Sequence, residues 1–345
     1  MPLISVIIPI YNVRRFIERG LKNILAQSCQ DFEILLSDDG STDGSYEECQ
    51  EWALKDSRIR VLHQENKGAG AARNHGIEEA RGEFIYFFDI DDEIYPHLLE
   101  YCVRTINEKE VDFICFGYEN VETTYNSKVI VDFPETHITS NSDLRNLYVD
   151  QFVMKVNGFP WNKFYRKSFL DEHSLRYEDQ RIQQDEVFNL KCYQYLEKAY
   201  LSPEVLYTYY VYEKGNTRSR FIPDRFDIYK SVREHFEELK NFWSLSDERL
   251  DNYLEKRFYT GVMQCMLFNL THPNCKWTKR QKKYEMERIM SDPLTIQSFR
   301  YADNYERGLE QRLYRKACRN QSLFQIKLVT SVFGMFHKMR KLLKK

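Results

Sequence analysis

Four carboxylates fall within five residues, Asp89, Asp91, Asp92 and Glu93, directly after the apolar run Phe84-Ile85-Tyr86-Phe87-Phe88. Carboxylates packed this densely repel one another unless a cation sits among them, and oxygen-only ligands suit Mg2+ or Mn2+ better than zinc. Such ions usually bridge one or two carboxylates to a substrate phosphate, so these residue types suit the handling of a metal-bound diphosphate. A solvated acidic turn capping a helix that starts near Tyr95-Pro96 would use the same residues. A second cluster, Asp38-Asp39-Gly40-Ser41-Thr42-Asp43, has the acids and small residues of a turn with helix N-cap character. A third stretch, Asn66-Lys67-Gly68-Ala69-Gly70-Ala71-Ala72-Arg73-Asn74, is a Gly/Ala-rich helix opening where backbone can approach a ligand closely.

Hydrophobic pattern indicates what must position these groups. Residues 4–9, 33–37, 58–62 and 83–88 are short apolar runs rich in β-branched and aromatic side chains, the pattern of buried strands. Between the first two, Phe16, Ile17, Leu21, Ile24 and Leu25 recur on one helical face. Strand and helix alternate, so an α/β fold with a largely parallel sheet is expected, its polar tips sharing one edge. The carboxyl edge of such a sheet is where ligands bind.

Four blocks, Ser5-Val6-Ile7-Ile8-Pro9-Ile10-Tyr11-Asn12, then residues 37–43, 66–74 and 88–92, stand in the order and approximate spacing of family 2 glycosyltransferases. The chain resembles that family through about residue 118. The likeness returns at Trp161-Asn162-Lys163-Phe164-Tyr165-Arg166, at Gln184-Asp185-Glu186-Val187-Phe188-Asn189 and at Leu206-Tyr207-Thr208-Tyr209-Tyr210. The resemblance implies a GT-A fold, a Rossmann-like nucleotide-sugar-binding half continuous with an acceptor half. It implies inverting transfer of a hexosyl or N-acetylhexosaminyl group from a UDP-sugar to a glycan or lipid-linked saccharide, with Mn2+ or Mg2+ on the diphosphate. Pro9, Tyr11, Asn12, Asp38, Asp39, Asn66, Gly68, Arg73 and Asp89 would then surround the nucleotide, the uracil stacking on Tyr11 and hydrogen-bonding Asp39. Arg73 would fix Asp89, which faces the ribose. Asp91 is the expected metal ligand with Asp89 beside it, while Asp92 either shares that role or caps the following helix.

Displacement at a sugar C1 requires the incoming hydroxyl to lose its proton, so a carboxylate must stand on the acceptor side. By the resemblance that base is Asp185, although the glutamate that normally precedes it is Gln184 here, and Glu186 is the rival. The metal neutralises the departing diphosphate, so the two flanking carboxyls of a glycosidase are not needed. Lys163, Lys214 and Arg218 are candidate cations for the diphosphate, the stretch 214–219 resembling a loop that closes over it. Trp161 is the candidate aromatic surface for an acceptor sugar.

A length of 345 residues with 42% apolar composition allows about two core-forming units. Residues 1–221 are expected to form the catalytic domain, divided at about 118 into nucleotide and acceptor halves, and 222–345 a helical extension. Residues 119–143 suit a hairpin or excursion beside the site. Formal charge is only -2, yet no Asp or Glu follows Glu310, and residues 321–345 alternate cations with large apolar side chains. A basic amphipathic helix of that kind suits an anionic membrane surface and is too interrupted by charge to cross one. Packing on its own core, or on a second copy in a homodimer, is the alternative. The start enters the first strand directly and eight cysteines lack metal-site spacing, so a reduced, cytoplasmic protein at the inner face of the membrane is expected. Nucleic acid is not an expected partner, because the basic tail lacks stacking aromatics on a sheet. An NAD enzyme would need a third glycine where Arg73 stands, a nucleotidyltransferase a better basic loop than Arg14-Arg15, and a binding protein without turnover stays open through Gln184.

Overall fold

The computed structural model describes residues 1–124, 127–153, 158–212, 220–305 and 308–342, with side chains to Phe333. The chain divides into two units, one of Met1–Gly215 with Glu238–Leu245, the other of Asn216–Glu237 with Ser246–Lys345.

The first unit alternates strand and helix from its start: β1 (Ile4–Ile10), α1 (Arg14–Leu25), β2 (Phe32–Asp38), α2 (Ser45–Lys55), β3 (Ile59–His63), α3 (Ala69–Glu79) and β4 (Phe84–Phe87). Then come β5 (Glu93–Ile94), α4 (Leu98–Glu108), β6 (Phe113–Glu122), β7 (Ser127–Val131), β8 (Thr136–Ile138), α5 (Asn141–Leu147), β9 (Lys163–Arg166), α6 (Lys167–Glu172), α7 (Gln184–Tyr195) and β10 (Ala199–Val211). One sheet runs β3-β2-β1-β4-β9-β6-β10-β5, with β7 paired to β6 and β8 to β10. Strands β1 to β4 are mutually parallel, as alternation with helices requires, while β9 enters antiparallel between β4 and β6. Within the segment 119–143, β7 pairs antiparallel with the end of β6.

Burial on both faces explains the apolar runs: every residue of β2 and of β4 is buried, α3 packing on β1 and β2, and Phe84 and Phe87 of β4 meeting the rings of Phe164, Tyr165, Tyr177 and Phe188. Register places the four parallel tips together, Ile10 beside Asp38, Asp38 beside His63 and Ile7 beside Phe87. At the opposite, amino edge a buried acid is fully occupied. Ser5 Oγ and the Arg81 N–H donate to Glu33 Oε1 at 2.7 Å each, and Arg60 Nη1 donates to Oε2 at 3.0 Å. Glu33 is therefore a structural acid, a useful contrast for those at the carboxyl edge.

In the second unit the regular elements among the described residues are helices: the greater part of α8 (Arg225–Phe242), then α9 (Glu248–Gln264), α10 (Lys279–Ser291), α11 (Pro293–Tyr305), α12 (Leu309–Arg319) and α13 (Leu323–Leu342). Their apolar stripes meet in a core containing Phe226, Phe258, Met266, Met286, Ile289 and Phe299. Thr278 and Gln281 close a reciprocal capping box that satisfies the first orphan N–H groups of α10.

Candidate active site

The tips of β1 and β2 build one wall. Asp38 is fully buried, accepting from the Gly40 N–H at 3.2 Å and facing His63 Nδ1 at 2.8 Å. Asp39 is 2% exposed; Oδ1 accepts from Gln64 Nε2 and the Lys67 N–H at 2.8 Å each, and Oδ2 from the Gly68 N–H at 2.7 Å. The two acids thus fold the 38–41 turn and anchor the glycine-rich opening of α3. Gly68 has φ +99, a conformation closed to most side chains, which explains glycine there. Beside this wall Tyr11 leaves its ring exposed, and Asn12 accepts from the Thr42 N–H at 2.8 Å while donating its own N–H to Ser41 Oγ. Pro9 is half-buried and Asn66 exposed.

Arg73 joins the two halves of the unit. It projects from α3, is 3% exposed, and donates through Nη2 to Asp89 Oδ1 at 2.9 Å and through Nη1 to Asp185 Oδ1 at 2.6 Å. Burial opposes its charge, but Asp185 and Asp89 hold the guanidinium protonated more firmly than usual. Its cation stands 5.5 Å from the ring centre of Tyr177, which stacks on Phe188 of α7 at 4.1 Å. Asn74 and the Tyr177 backbone exchange two hydrogen bonds, of 2.9 and 2.8 Å, which lock the approach to α7 against α3. Asp185 sits in the first turn of α7, and burial pushes its carboxyl up to about 6, with Asp89 and Glu186 adding to the rise against the pull of Arg73 and Lys163. Next to it Gln184 is buried, and its Oε1 has no hydrogen-bond partner among the described residues.

Past β4 the chain turns tightly, the Asp92 N–H donating to the Asp89 carbonyl at 3.0 Å. Asp92 does not cap α4, which opens at His97 without a side-chain cap; its oxygens are engaged inside the fold, Oδ2 accepting from Tyr207 OH at 2.7 Å and Oδ1 from the Tyr210 N–H at 2.9 Å. Asp91 differs. Burial, then Asp89, pushes its carboxyl up to about 6, and Arg19 and Arg15 oppose this only from a distance. Among the described residues no three His, Cys, Asp or Glu side chains gather into a metal cage. A half-buried carboxylate short of counter-charge suits Mg2+ or Mn2+, which Asp91 would hold together with phosphate and water, and does not suit a structural zinc.

Several expected contacts lie elsewhere. Trp161 is 2% exposed and stacks on Tyr207 at 4.2 Å and on Phe159 at 4.7 Å, so its ring belongs to the core and offers no face to an acceptor sugar. Lys163 opens β9 inside the sheet with no exposure, donating to the Phe159 carbonyl and to Asn162 Oδ1; burial lowers its ammonium to about 8. It is no diphosphate contact. Glu186 is buried one position past Asp185. Lys214 and Arg218 lie outside the described residues. Tyr177, which supports Arg73, lies outside every motif, while the block 206–210 contains Tyr207 and Tyr210 without indicating that they occupy Asp92.

A model of glycosyl transferase family 2 matches residues 5–173. EpsH of Bacillus subtilis (strain 168), a glycosyltransferase by provisional assignment, is 38% identical over 185 residues, 51% of this chain and 50% of that protein. The chain spans about half to three fifths of the length of such curated relatives. Among solved structures, residues 1–349 of TarS from S. aureus in complex with UDP-GlcNAc align with a TM-score of 0.60 at 20% identity, covering 96% of this chain and 92% of that one. The mannosyltransferase PcManGT from Pyrobaculum calidifontis, in complex with GDP-Man and Mn2+, aligns at a TM-score of 0.51 and 16% identity over 98% and 88%. Identities this low speak for the fold, which is GT-A. The domain at residues 5–173 belongs to glycosyl transferase family 2.

Proposed function

We propose that the protein is an inverting glycosyltransferase that uses a UDP-sugar and a saccharide or lipid-linked saccharide acceptor, as in the assembly of a bacterial surface polysaccharide. The observation that carries this reading is the Arg73 bridge, which holds Asp185 within one ion-paired cluster with Asp89 at the tip of β4. A lone acid in the first turn of a helix is ordinary; one tied to the acidic turn through Arg73, 112 residues before it, supports a chemical role.

Asp185 is the proposed base. With its carboxyl at about 6 it is ionised at neutral pH yet basic enough to take a proton as the acceptor oxygen attacks C1. Attack from the face opposite the diphosphate inverts the anomeric centre. Tyr11 and the Asp39-anchored loop would seat the nucleotide base, with Asp89 toward the ribose. Asp91 would hold Mn2+ or Mg2+, which supplies positive charge to the departing UDP. Arg73 pairs with both Asp185 and Asp89, offsetting part of their combined charge.

Melting the protein with a panel of nucleotide sugars and Mn2+ tests the donor assignment. A UDP-sugar at 100 times its dissociation constant is expected to add about 2.7 kcal/mol of stability. Asp91→Ala should remove the Mn2+-dependent part. Stabilisation by other nucleotide sugars alone would overturn the UDP assignment. Gln184→Glu puts a second carboxylate beside Asp185, so the base should ionise at higher pH, and the acid limb of the rate–pH profile should move above pH 6. An unmoved limb would remove Asp185 from the base role.

Residues 321–345 are proposed to rest on an anionic bilayer. No helix among the described residues is long and apolar enough to cross a membrane. On α13, Phe324 and Leu328 are exposed one turn apart with Lys327 between them. Truncation after Gln321 should lower sedimentation with phosphatidylglycerol vesicles by roughly ten-fold or more, each cation near such a surface contributing about 1 kcal/mol. Equal sedimentation of both forms would refute the tail assignment.

A further inference from the structure

The mechanism above makes no use of the cations on α1. That helix is pressed against the acidic turn: a Cβ on Gly20 would stand 2.5 Å from the Ile90 carbonyl oxygen, and Asn23 exchanges hydrogen bonds of 3.1 and 2.9 Å with the Ile94 backbone. One turn earlier, Arg19 donates to the Asp91 carbonyl and to Tyr212 OH, lies 5.3 Å from the centre of the Tyr210 ring, and has only a long 3.9 Å ion pair to Glu93. Arg15, four residues before it, rests its guanidinium 4.4 Å from the centre of the Phe16 ring and 6.0 Å from that of Tyr212. Neighbouring Arg14 is paired with Glu48, whereas Arg15 is exposed and has no ion pair among the described residues. Ring faces hold a guanidinium in place without satisfying its N–H fork.

We propose that Arg15, steadied by Phe16 and backed by Arg19, binds phosphoryl oxygen beside Asp91. The ligand class is a phosphate ester or diphosphate. Its source is either the diphosphate of the donor or a phosphorylated acceptor, and the assignment rests on the donor reading given above only for the first of these. The electrostatic need is specific to this place. A diphosphate brought to Asp91 meets the charges of Asp89, Asp91 and Glu93, and a divalent ion alone offsets only part of that repulsion. A planar fork with free donors, already within electrostatic reach of Asp91, supplies the remainder and matches phosphate geometry.

Calorimetric titration of the full chain at saturating Mn2+ tests this with three probes, UDP, uridine and inorganic pyrophosphate, on wild type, Arg15→Ala and Arg15→Lys. A donor source is supported when Arg15→Ala weakens UDP about ten-fold, leaves uridine unchanged, and Arg15→Lys recovers part of the loss. An acceptor source is supported when UDP binds equally to all three but pyrophosphate, added to the UDP-saturated protein, loses about ten-fold in Arg15→Ala. Equal binding of UDP and of pyrophosphate, with and without UDP, by wild type and Arg15→Ala overturns the proposal. A wild-type chain that binds no UDP sinks the donor reading instead, and pyrophosphate alone then decides whether Arg15 is an anion site.

Discussion

Asp185→Asn is expected to bind UDP within about two-fold of wild type and to lose transfer by about 10²–10⁴-fold, the range a general base contributes. Asparagine keeps an oxygen for Arg73 Nη1, so the 2.6 Å contact and the seating of α7 survive while the proton acceptor is gone. The pH profile adds a second reading. Burial raises the carboxyl to about 6, so the active, ionised form disappears as pH falls through that value, and wild-type turnover should drop there. The folded chain holds this proton more tightly than the unfolded one. Between roughly pH 4 and 6 the contribution of Asp185 to stability therefore declines as pH rises, the opposite of a carboxylate stabilised by its pairing. Asp185→Asn should flatten both dependences. Measuring initial rates and UDP affinity on the same preparation separates the outcomes: equal loss of both would make Asp185 a structural residue.

The strand tips were legible because their information is local. Residues 4–9 and 33–37 are short apolar runs bounded by polar turns, and the four parallel strands bring those turns to one edge by topology alone. The link between Arg73 and Asp185 is different in kind. Nothing in the local pattern of α3 specifies which residue 112 positions later meets its guanidinium, and that contact depends on Tyr177, Asn74 and Phe188 packing the two segments together. Inward and outward positions within a motif were equally hidden. Trp161 and Lys163 carry chemistry that could serve a ligand, yet Lys163 opens β9 between β4 and β6, and Trp161 just before it is stacked between Tyr207 and Phe159, so both are buried. Asp92 shows the same effect, since its partners come from β10, more than a hundred residues away. A carboxylate's sequence neighbours say little about who will neutralise it.

Arg73→Ala tests the other half of the arrangement and should be costly in two ways. The substitution leaves Asp89 and Asp185 facing each other without their shared cation, and removing one partner of a buried ion pair typically costs about 3–5 kcal/mol. Asp89 and Asp185 are each more than a quarter exposed, at 28% and 29%, so solvent screens them and the lower end of that range is the expected loss in melting free energy. The kinetic effect should exceed the structural one. Without the guanidinium, like charge adds to burial and lifts the Asp185 carboxyl above about 6. At pH 7 much of the base would then be protonated, and its geometry would loosen because α7 keeps only the Asn74–Tyr177 tether to α3. Transfer at pH 7 should fall by roughly 10²–10³-fold and recover in part as pH is raised. Arg73→Lys offers a point charge where two diverging N–H groups are needed, so it can satisfy Asp89 or Asp185 but not both. It should melt close to wild type while keeping most of the rate defect, and that separation distinguishes a residue that organises the base from one that merely fills the core. If Arg73→Lys regained full turnover at pH 7, the bidentate bridge would have no catalytic consequence.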